Sequence, residues 1–552
     1  MVNPVLVEKK GSRLTVTDDI KRLFQLTYHE QNENEESNEN TAKIKVSDLI
    51  SKMAFYYEKI RNAVDYEEEH LLRKNAIERV LKRQILIEGA LAIKELRSVE
   101  IAKHLLVELI RAGYLPNNKI PEVKIREIGA IVDRYLTLRK EIAKLHKTNK
   151  EVSEVVKWTI AIAASEIEEN LGRKKSTLAS VDYMFKILNE KVKLPEGSEY
   201  DKDKEIQIYI GIYRNLLKFD KEMLGHILMK YYISDWHEAN SDRILEIAKD
   251  IFKIKGAIEA QIDHPLVGQI NRIIKRYTIF FTVLSDIIEE DPVNSYETAR
   301  QNPNAFTAKV KKACEKRYKQ IKAKLWRSAV RSIIYIFITK SVFAVIIEVP
   351  ATQWFGEELN ALSLIINVSF PAVLLFLIIL FTKLPGDDNT SRIIEGINEL
   401  VYKEKEHKDS FILRKPVKRG PALSFVFGLI FSITFFVSFG AVIWGLDQIG
   451  FSWVSIIIFL FFLAFVSFFS SRIRKTAHEL QLAEPKENIF GFLSDVFYIP
   501  IVSAGKWMSE KFDKVNVFVF ILDFIIEAPF KIFVEIAEEW TKYVKERKDE
   551  IV

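Results

Sequence analysis

From Ser47 onward apolar residues return every three or four positions: Leu49, Ile50, Met53, Tyr57, Ile60 and Val64 share one stripe, and Ser47 stands where a helix cap belongs. The same period predicts further helices over about 67–96, 98–112, 121–147, 151–171, 176–192, 203–232, 241–260 and 265–290. Gly113-Tyr114-Leu115-Pro116, Leu194-Pro195-Glu196-Gly197 and Asp291-Pro292 punctuate them, as turn-forming residues do. Strand-like alternation of useful length is missing, so residues 47–299 are expected to form an all-α cytosolic domain. Ahead of it, residues 1–46 are weakly patterned, and His29 to Thr41 is a polar, acidic run with nothing to bury. A weakly ordered segment is expected there.

Beyond residue 331 the pattern changes from one apolar stripe to unbroken apolar stretches. Ser332–Val349, Ala361–Thr382, Ala422–Leu446 and Phe451–Ser471 are each long enough, at roughly 20 residues, to cross about 30 Å of hydrocarbon as helices. The connections Pro350–Asn360 and Asp447–Gly450 hold no Lys or Arg. By contrast Lys383–Gly420 carries Lys383, Arg392, Lys403, Lys405, Lys408, Arg414, Lys415, Lys418 and Arg419. Basic loops stay inside, so the pattern predicts an inner-membrane, multi-pass chain with both termini cytosolic. Trp326, Trp354, Trp444 and Trp453 sit near the span ends, where amphipathic rings favour the interface.

The tail, 472–552, is ambiguous. Ile489–Gly505 and Val515–Trp540 are apolar but interrupted by Asp495, Pro500, Asp523, Glu527 and Pro529. On a helical wheel Asn516, Asp523, Glu527, Lys531, Glu535 and Lys542 gather on one side. Two amphipathic helices lying at the interface or partly inserted are expected, with a fifth and sixth span, or docking onto the helical domain, as the alternatives. The fold class is therefore all-α: an N-terminal helical cytosolic domain, a transmembrane domain of about four spans over 332–471, and a C-terminal pair of interfacial helices.

Composition agrees with a chain of two characters. Of 552 residues 48% are hydrophobic and 28% charged, too greasy for one soluble domain and too charged for a chain that is membrane throughout. A net charge of +6 on 81 basic and 75 acidic residues gives no footprint for nucleic acid. The local distribution is different. Arg300, Lys309, Lys311, Lys312, Lys316, Arg317, Lys319, Lys322, Lys324, Arg327 and Arg331 face Glu315 alone in a juxtamembrane segment, 300–331. Such cations are drawn to anionic lipid by about 1 kcal/mol each near the surface, so Lys316, Arg317, Lys319, Lys322, Lys324, Arg327 and Arg331 are the candidate contacts with the anionic inner leaflet. Cys314 is the only cysteine, which excludes an internal disulfide and any paired-cysteine metal or redox site. Met1 to Thr17 lacks the basic-then-apolar order of a secretion signal, so the first region is expected to stay where it is made.

Catalytic motifs are not apparent. Glycine-rich phosphate loops and HExxH are missing, so no cofactor and no metal is expected. His226 and His237 lie about 16 Å apart if one helix joins them, too far to share an ion. Asp235-Trp236-His237-Glu238 is chemically rich but short, and His70 follows Glu67, Glu68 and Glu69 on a charged face.

Polar groups inside the apolar stretches are stronger candidates, because their burial is costly. Lys340 lies deep in the first span, too far from its ends to reach water. Glu348 is two turns on, beyond direct reach along one straight helix, so Asp495, Asp523 or Glu527 are the expected partners. Asn367 and Pro371 suggest a kinked polar patch in the second span, and Gly428 and Gly440 suggest close packing of the third.

The stretches Tyr335–Lys340 running to Glu348-Val349-Pro350, Arg392–Ile397 and Asn516–Pro529, with the region Arg61–Arg83, resemble an uncharacterised family of bacterial multi-pass membrane proteins with no assigned activity. The resemblance implies the layout and no functional residue. The favoured reading is a non-enzymatic, membrane-anchored interaction or scaffold protein with a protein partner or a second copy of itself. A channel or transporter component with its polar site near Lys340 is the alternative, and a membrane-interface enzyme the third.

Overall fold

The computed structural model describes residues 15–36, 42–62, 68–88, 97–146, 149–172, 174–357, 360–382, 384–402, 410–415, 420–482 and 489–513, with single positions between 533 and 547. Among these the chain is helical almost throughout, in two compact units: Met1–Arg300 with Val401–Pro416, and Gln301–Leu400 with Val417–Asn516.

The first unit is built around helices α1 (Asp18–Glu36), α2 (Asp48–Asn62), α3 (Glu69–Lys82), α4 (Ser98–Arg111), α5 (Val123–Leu145), α6 (Lys150–Gly172), α7 (Lys175–Lys191), α8 (Lys204–Leu216), α9 (Lys221–Tyr232), α10 (Ser241–Ile262), α11 (Val267–Glu290) and α12 (Pro292–Gln301). α6 is its axis. The run from Thr159 to Glu168 is buried on every side, its polar members included, and α3, α5, α9 and α10 pack about it. The surrounding helices bury single stripes: α4 turns in Ile101, Ala102, Leu105, Leu106, Leu109 and Ile110, at the three- and four-residue spacing that the sequence shows.

Three expectations change here. The segment expected to be weakly ordered contains α1, whose Ile20, Leu23, Phe24 and Thr27 are buried, and whose Glu30 carboxylate accepts from Ser176 N–H at 2.9 Å and Ser176 Oγ at 2.6 Å. The stripe is only two turns long and is diluted by the polar residues around it. The helix expected over 203–232 is two helices, because Lys218 adopts a left-handed backbone (φ 57°) and Asp220 caps α9 by accepting from Met223 N–H. Finally, Val192–Lys193 pairs in parallel with Phe411–Ile412, while Gln269 exchanges two 2.8 Å hydrogen bonds with the backbone of Arg414. Part of the connection between the second and third apolar helices thus belongs to the helical domain, which nothing in its basic composition indicates.

The second unit begins with α13 (Pro303–Phe343), followed by a π-helical turn (Ala344–Glu348), α14 (Val349–Trp354), α15 (Ala361–Leu380), α16 (Asp387–Tyr402), α17 (Pro421–Gln448), α18 (Trp453–Ala477) and α19 (Ile489–Asp513). Four helical runs are long and apolar enough to cross a membrane: Pro303–Trp354, Ala361–Leu380, Pro421–Gln448 and Trp453–Lys475. The protein is a membrane protein on that ground. The first run is 52 residues, roughly 78 Å at the rise of an α-helix, so the basic segment and the first span are one continuous rod. α13, α15 and α18 pack on one another, with Leu325, Ala329 and Ile336 meeting Leu375, Ile379 and Val466.

α17 packs mainly on α19 and leaves most of its circumference open. Gly428 and Gly440 have no atom within 4 Å of where a side chain would start, so the close packing expected of them does not occur. It occurs instead at Gly505. The tail helix expected at the membrane surface runs along α18 in the opposite sense. Tyr498 Oη donates to Ser467 O at 3.1 Å and sits 3.1 Å from Ser470 Oγ, and Gly505 rests on the Ala464 backbone, midway along the span. A Cβ at Gly505 would lie 2.0 Å from Ala464 O. Only the missing side chain permits that approach, and the sequence pattern of amphipathicity is silent on it. Gly505→Ala is accordingly expected to lower stability by about 1–3 kcal/mol through overpacking, whereas Gly428→Ala stays within about 0.5 kcal/mol of the parent. Thermal unfolding of the detergent-solubilised chain distinguishes them, and equal melting of the two variants rejects the packing.

Candidate functional site

Lys340 and Glu348 are separated by eight residues, about 2.2 turns of an α-helix, which would set their side chains about 80° apart around the axis. The π-helical turn removes that offset. Val349 N–H donates to Ala344 O, five residues back, so the chain spends an extra residue on this turn and Glu348 comes round to the face of Lys340. Pro350 supplies the reason. It has no N–H to give to residue 346, and its ring crowds that carbonyl, so the α ladder cannot continue unbroken through it. The result is an ion pair, Lys340 Nζ to Glu348 Oε2 at 3.7 Å, with both side chains 0% exposed.

Two further helices complete the site. On α15, Asn367 Nδ2 donates to Glu348 Oε1 and also lies 3.3 Å from Ser455 O. On α18, Ser455 Oγ donates to the same Glu348 oxygen at 2.8 Å, and the Phe462 ring lies 4.1 Å from the Lys340 ammonium. The carboxylate is therefore held by two hydrogen-bond donors, one on α15 and one on α18, and by the charge of Lys340 on α13, and the ammonium rests on an aromatic face. Pro371, one turn after Asn367, leaves the Asn367 carbonyl without its usual helical donor, which adds to the polarity of this level.

The expected partners of Lys340 need correction. Asp495 is exposed on α19 and is not brought to Lys340; Asp523 and Glu527 lie outside the described residues. Glu348, set aside because a straight helix turns it away, is the partner. The Glu-x-Pro spacing of Glu348 and Pro350 is the signal that would have found it. Of the juxtamembrane cations, Lys316, Lys319, Lys322, Lys324, Arg327 and Arg331 are exposed and Arg317 is half-buried. They leave the opposite stripe of α13 (Phe306, Val310, Ala313, Ile321, Leu325, Ala329) to packing.

A second charged centre, in the helical domain, escaped the sequence reading. Glu166, Glu168 and Glu169 follow the apolar run of α6, and each is paired inside the domain. Glu166 accepts from Arg134 (2.6 Å), Tyr135 Oη (2.9 Å) and Trp236 Nε1 (2.8 Å), with His237 Nδ1 at 3.3 Å. Glu169 is bound by His226 Nε2 at 2.7 Å and Lys230 at 2.9 Å. His226 and His237 thus serve two different carboxylates, and Trp236 and His237 join in a structural network rather than a site of their own. Burial opposes the charge on Glu166, but hydrogen bonds from His237 and Trp236 and the charges of His226 and Arg134 outweigh it and hold the carboxyl at about 2. His226 and Lys230 do the same for Glu169, also against burial, to about 2. No group of His, Cys, Asp and Glu fit to hold a metal ion occurs among the described residues.

No family model, curated protein or solved structure matches this chain.

Removing one member of a buried pair strands the other charge. Lys340→Met or Glu348→Leu alone is expected to cost about 3–5 kcal/mol, and the double change Lys340→Met with Glu348→Leu to recover most of it. Asp495→Ala should leave stability unchanged. Unfolding of the four variants provides the cycle; strictly additive losses at 340 and 348 would show that the two do not interact. In the helical domain, both carboxyls are depressed from an ordinary 4.5, so their stabilisation is complete above about 4.5 and fades as pH falls toward about 2. The protection factors of the α6 amides, with the pH dependence of intrinsic exchange divided out, should fall through that window and depend on it less steeply in Glu166→Gln. A flat profile contradicts the network.

Proposed function

We propose that the chain is a membrane-anchored interaction protein whose helical domain engages a protein partner at the inner face of the cell membrane. The observation that carries this reading is the enclosure of the intramembrane charges. Lys340, Glu348 and Asn367 are 0% exposed, with Glu348 ion-paired to the first and hydrogen-bonded by the last, which is the chemistry of a helix lock and leaves them unsuited to line a path for ions.

Sidedness rests on the strand pairing as well as on charge. Phe411–Ile412 fold with Val192–Lys193, so the connection after the second span shares a compartment with the helical domain, and the basic residues at both ends of that connection favour the inner face. The exposed cations Lys319, Lys322, Lys324, Arg327 and Arg331 then stand where α13 enters the bilayer and suit anionic lipid. For the partner, α2 offers Met53, Phe55 and Tyr56, all exposed, the last 64% so. Aromatic and Met side chains are enriched in partner surfaces and costly to leave in water.

Affinity purification of the full chain from its native membranes tests the proposal. A protein partner in stoichiometric amount is expected, reduced at least about tenfold by Phe55→Ser with Tyr56→Ser at unchanged melting temperature, as for loss of a hot spot. Recovery of the chain alone under gentle extraction, or ion flux through the purified protein in liposomes, overturns it.

A further inference from the structure

A half-open pocket of about 180 Å³ lies in the helical domain, where α3, α6, α7, α8 and the turn into α9 meet. It is separate from the proposed partner surface, and the inference does not rest on that reading. Much of its lining is apolar: Leu178 of α7, Tyr213 of α8, Leu217 just after it, and Phe219 and Met223 around the start of α9. Apolar surface gathered in a concavity and open to water on one side gains from a ligand that covers it.

The charged groups of the lining divide unequally. Glu168 gives both oxygens to Arg73, which donates from Nε at 2.7 Å and from Nη2 at 2.6 Å. Glu169 gives its oxygens to Lys230 at 2.9 and 3.0 Å and to His226 Nε2 at 2.7 Å. Both carboxylates are therefore committed within the protein. Burial lowers the pKa of His70, so its ring adds no charge at neutral pH. Two cations keep something in reserve. Arg73 still has Nη1, and 16% of its side-chain surface remains open. Lys174 is exposed, and its ammonium has no ion pair or hydrogen bond among the described residues. Between them in the lining, Gly172 is bare backbone; a Cβ there would stand 3.0 Å from Arg73 Nη2, so the glycine leaves that flank of the guanidinium open. Arg73, Lys174 and Lys230 against Glu168 and Glu169 leave one positive charge in excess, which suits an anion.

We infer that this pocket binds a small amphipathic anion: an apolar body about the size of one ring against Leu178, Leu217 and Phe219, with one carboxylate or phosphate group at the mouth met by Lys174 and Arg73. Size follows from the volume, since an apolar cavity of about 150 Å³ accepts benzene, and the open side leaves the charged end in contact with water. A wholly apolar ligand would forgo the cations, and a cationic one would be repelled by them.

The test uses the full chain in nanodiscs of zwitterionic lipid and fluorine NMR of 4-fluorobenzoate, 4-fluorotoluene and 4-fluorobenzylammonium, with empty nanodiscs to subtract partition into lipid. 4-Fluorobenzoate is expected to bind about tenfold more tightly than 4-fluorotoluene, the worth of one charge-assisted hydrogen bond, and 4-fluorobenzylammonium most weakly of the three. Lys174→Gln, a surface change at unchanged melting temperature, should weaken 4-fluorobenzoate about threefold, as for one exposed charge, and leave 4-fluorotoluene unaffected. Leu178→Trp, which fills the apolar part, should abolish binding of all three. Equal signals from the wild-type chain and empty nanodiscs, or undiminished binding by Leu178→Trp, would overturn the site. Equal affinity of 4-fluorobenzoate and 4-fluorotoluene for the wild-type chain, or a Lys174→Gln chain that holds 4-fluorobenzoate as tightly as the parent, would overturn the assigned ligand class.

Discussion

An ammonium and a carboxylate placed in hydrocarbon have to find each other, and the way Lys340 meets Glu348 organises the membrane unit. A single helix supplies both charges, so the helix itself has to change its winding to bring them onto one face. That change is the π-helical turn ahead of Pro350. Once Glu348 is turned inward, its second oxygen needs donors, and Asn367 from α15 and Ser455 from α18 provide them. Each donor fixes the rotation of the helix that carries it. Three segments that are otherwise almost uniformly apolar, and would slide or rotate past one another at little cost, acquire one register.

The helical domain solves the same problem in water. α6 is buried on all sides for three turns and still carries Glu166, Glu168 and Glu169, so each carboxylate is matched by a cation or several hydrogen-bond donors from a neighbouring helix. The partners come from α3, α5, α9 and the turn after it, which ties those helices to the axis through directional bonds as well as apolar contact. A pairing of this kind is intolerant of loss. It leaves the domain dependent on pH in the acid range.

Close approach is the other constraint in the membrane unit. Lipid is as apolar as leucine, so helices associate there through fit and hydrogen bonds rather than through escape from water. α18 and α19 have both: Gly505 against the backbone of Ala464, and Tyr498 reaching Ser467 and Ser470. α17 has little of either along its length and is accordingly the most exposed of the apolar helices, with Phe425, Phe436 and Trp444 all facing outward.

By itself the sequence determined the helical class, the four apolar runs, the basic entry to the first of them and the presence of Lys340 and Asn367 as polar groups inside apolar stretches, because period, length and burial cost are properties of residues read in order. Tertiary structure decided the partners. Glu348 could be chosen over Asp495 only once the winding before Pro350 was known, since a shift of about 80° separates contact from its absence. The place of α19, the strand formed by Phe411–Ile412 and the pairing of Glu166 with Trp236 depend on residues far apart in the chain. Such contacts leave no periodic trace: a hydrophobic stripe tells that a face is covered, and the neighbour that covers it is selected by shape and by which polar atoms remain to be satisfied.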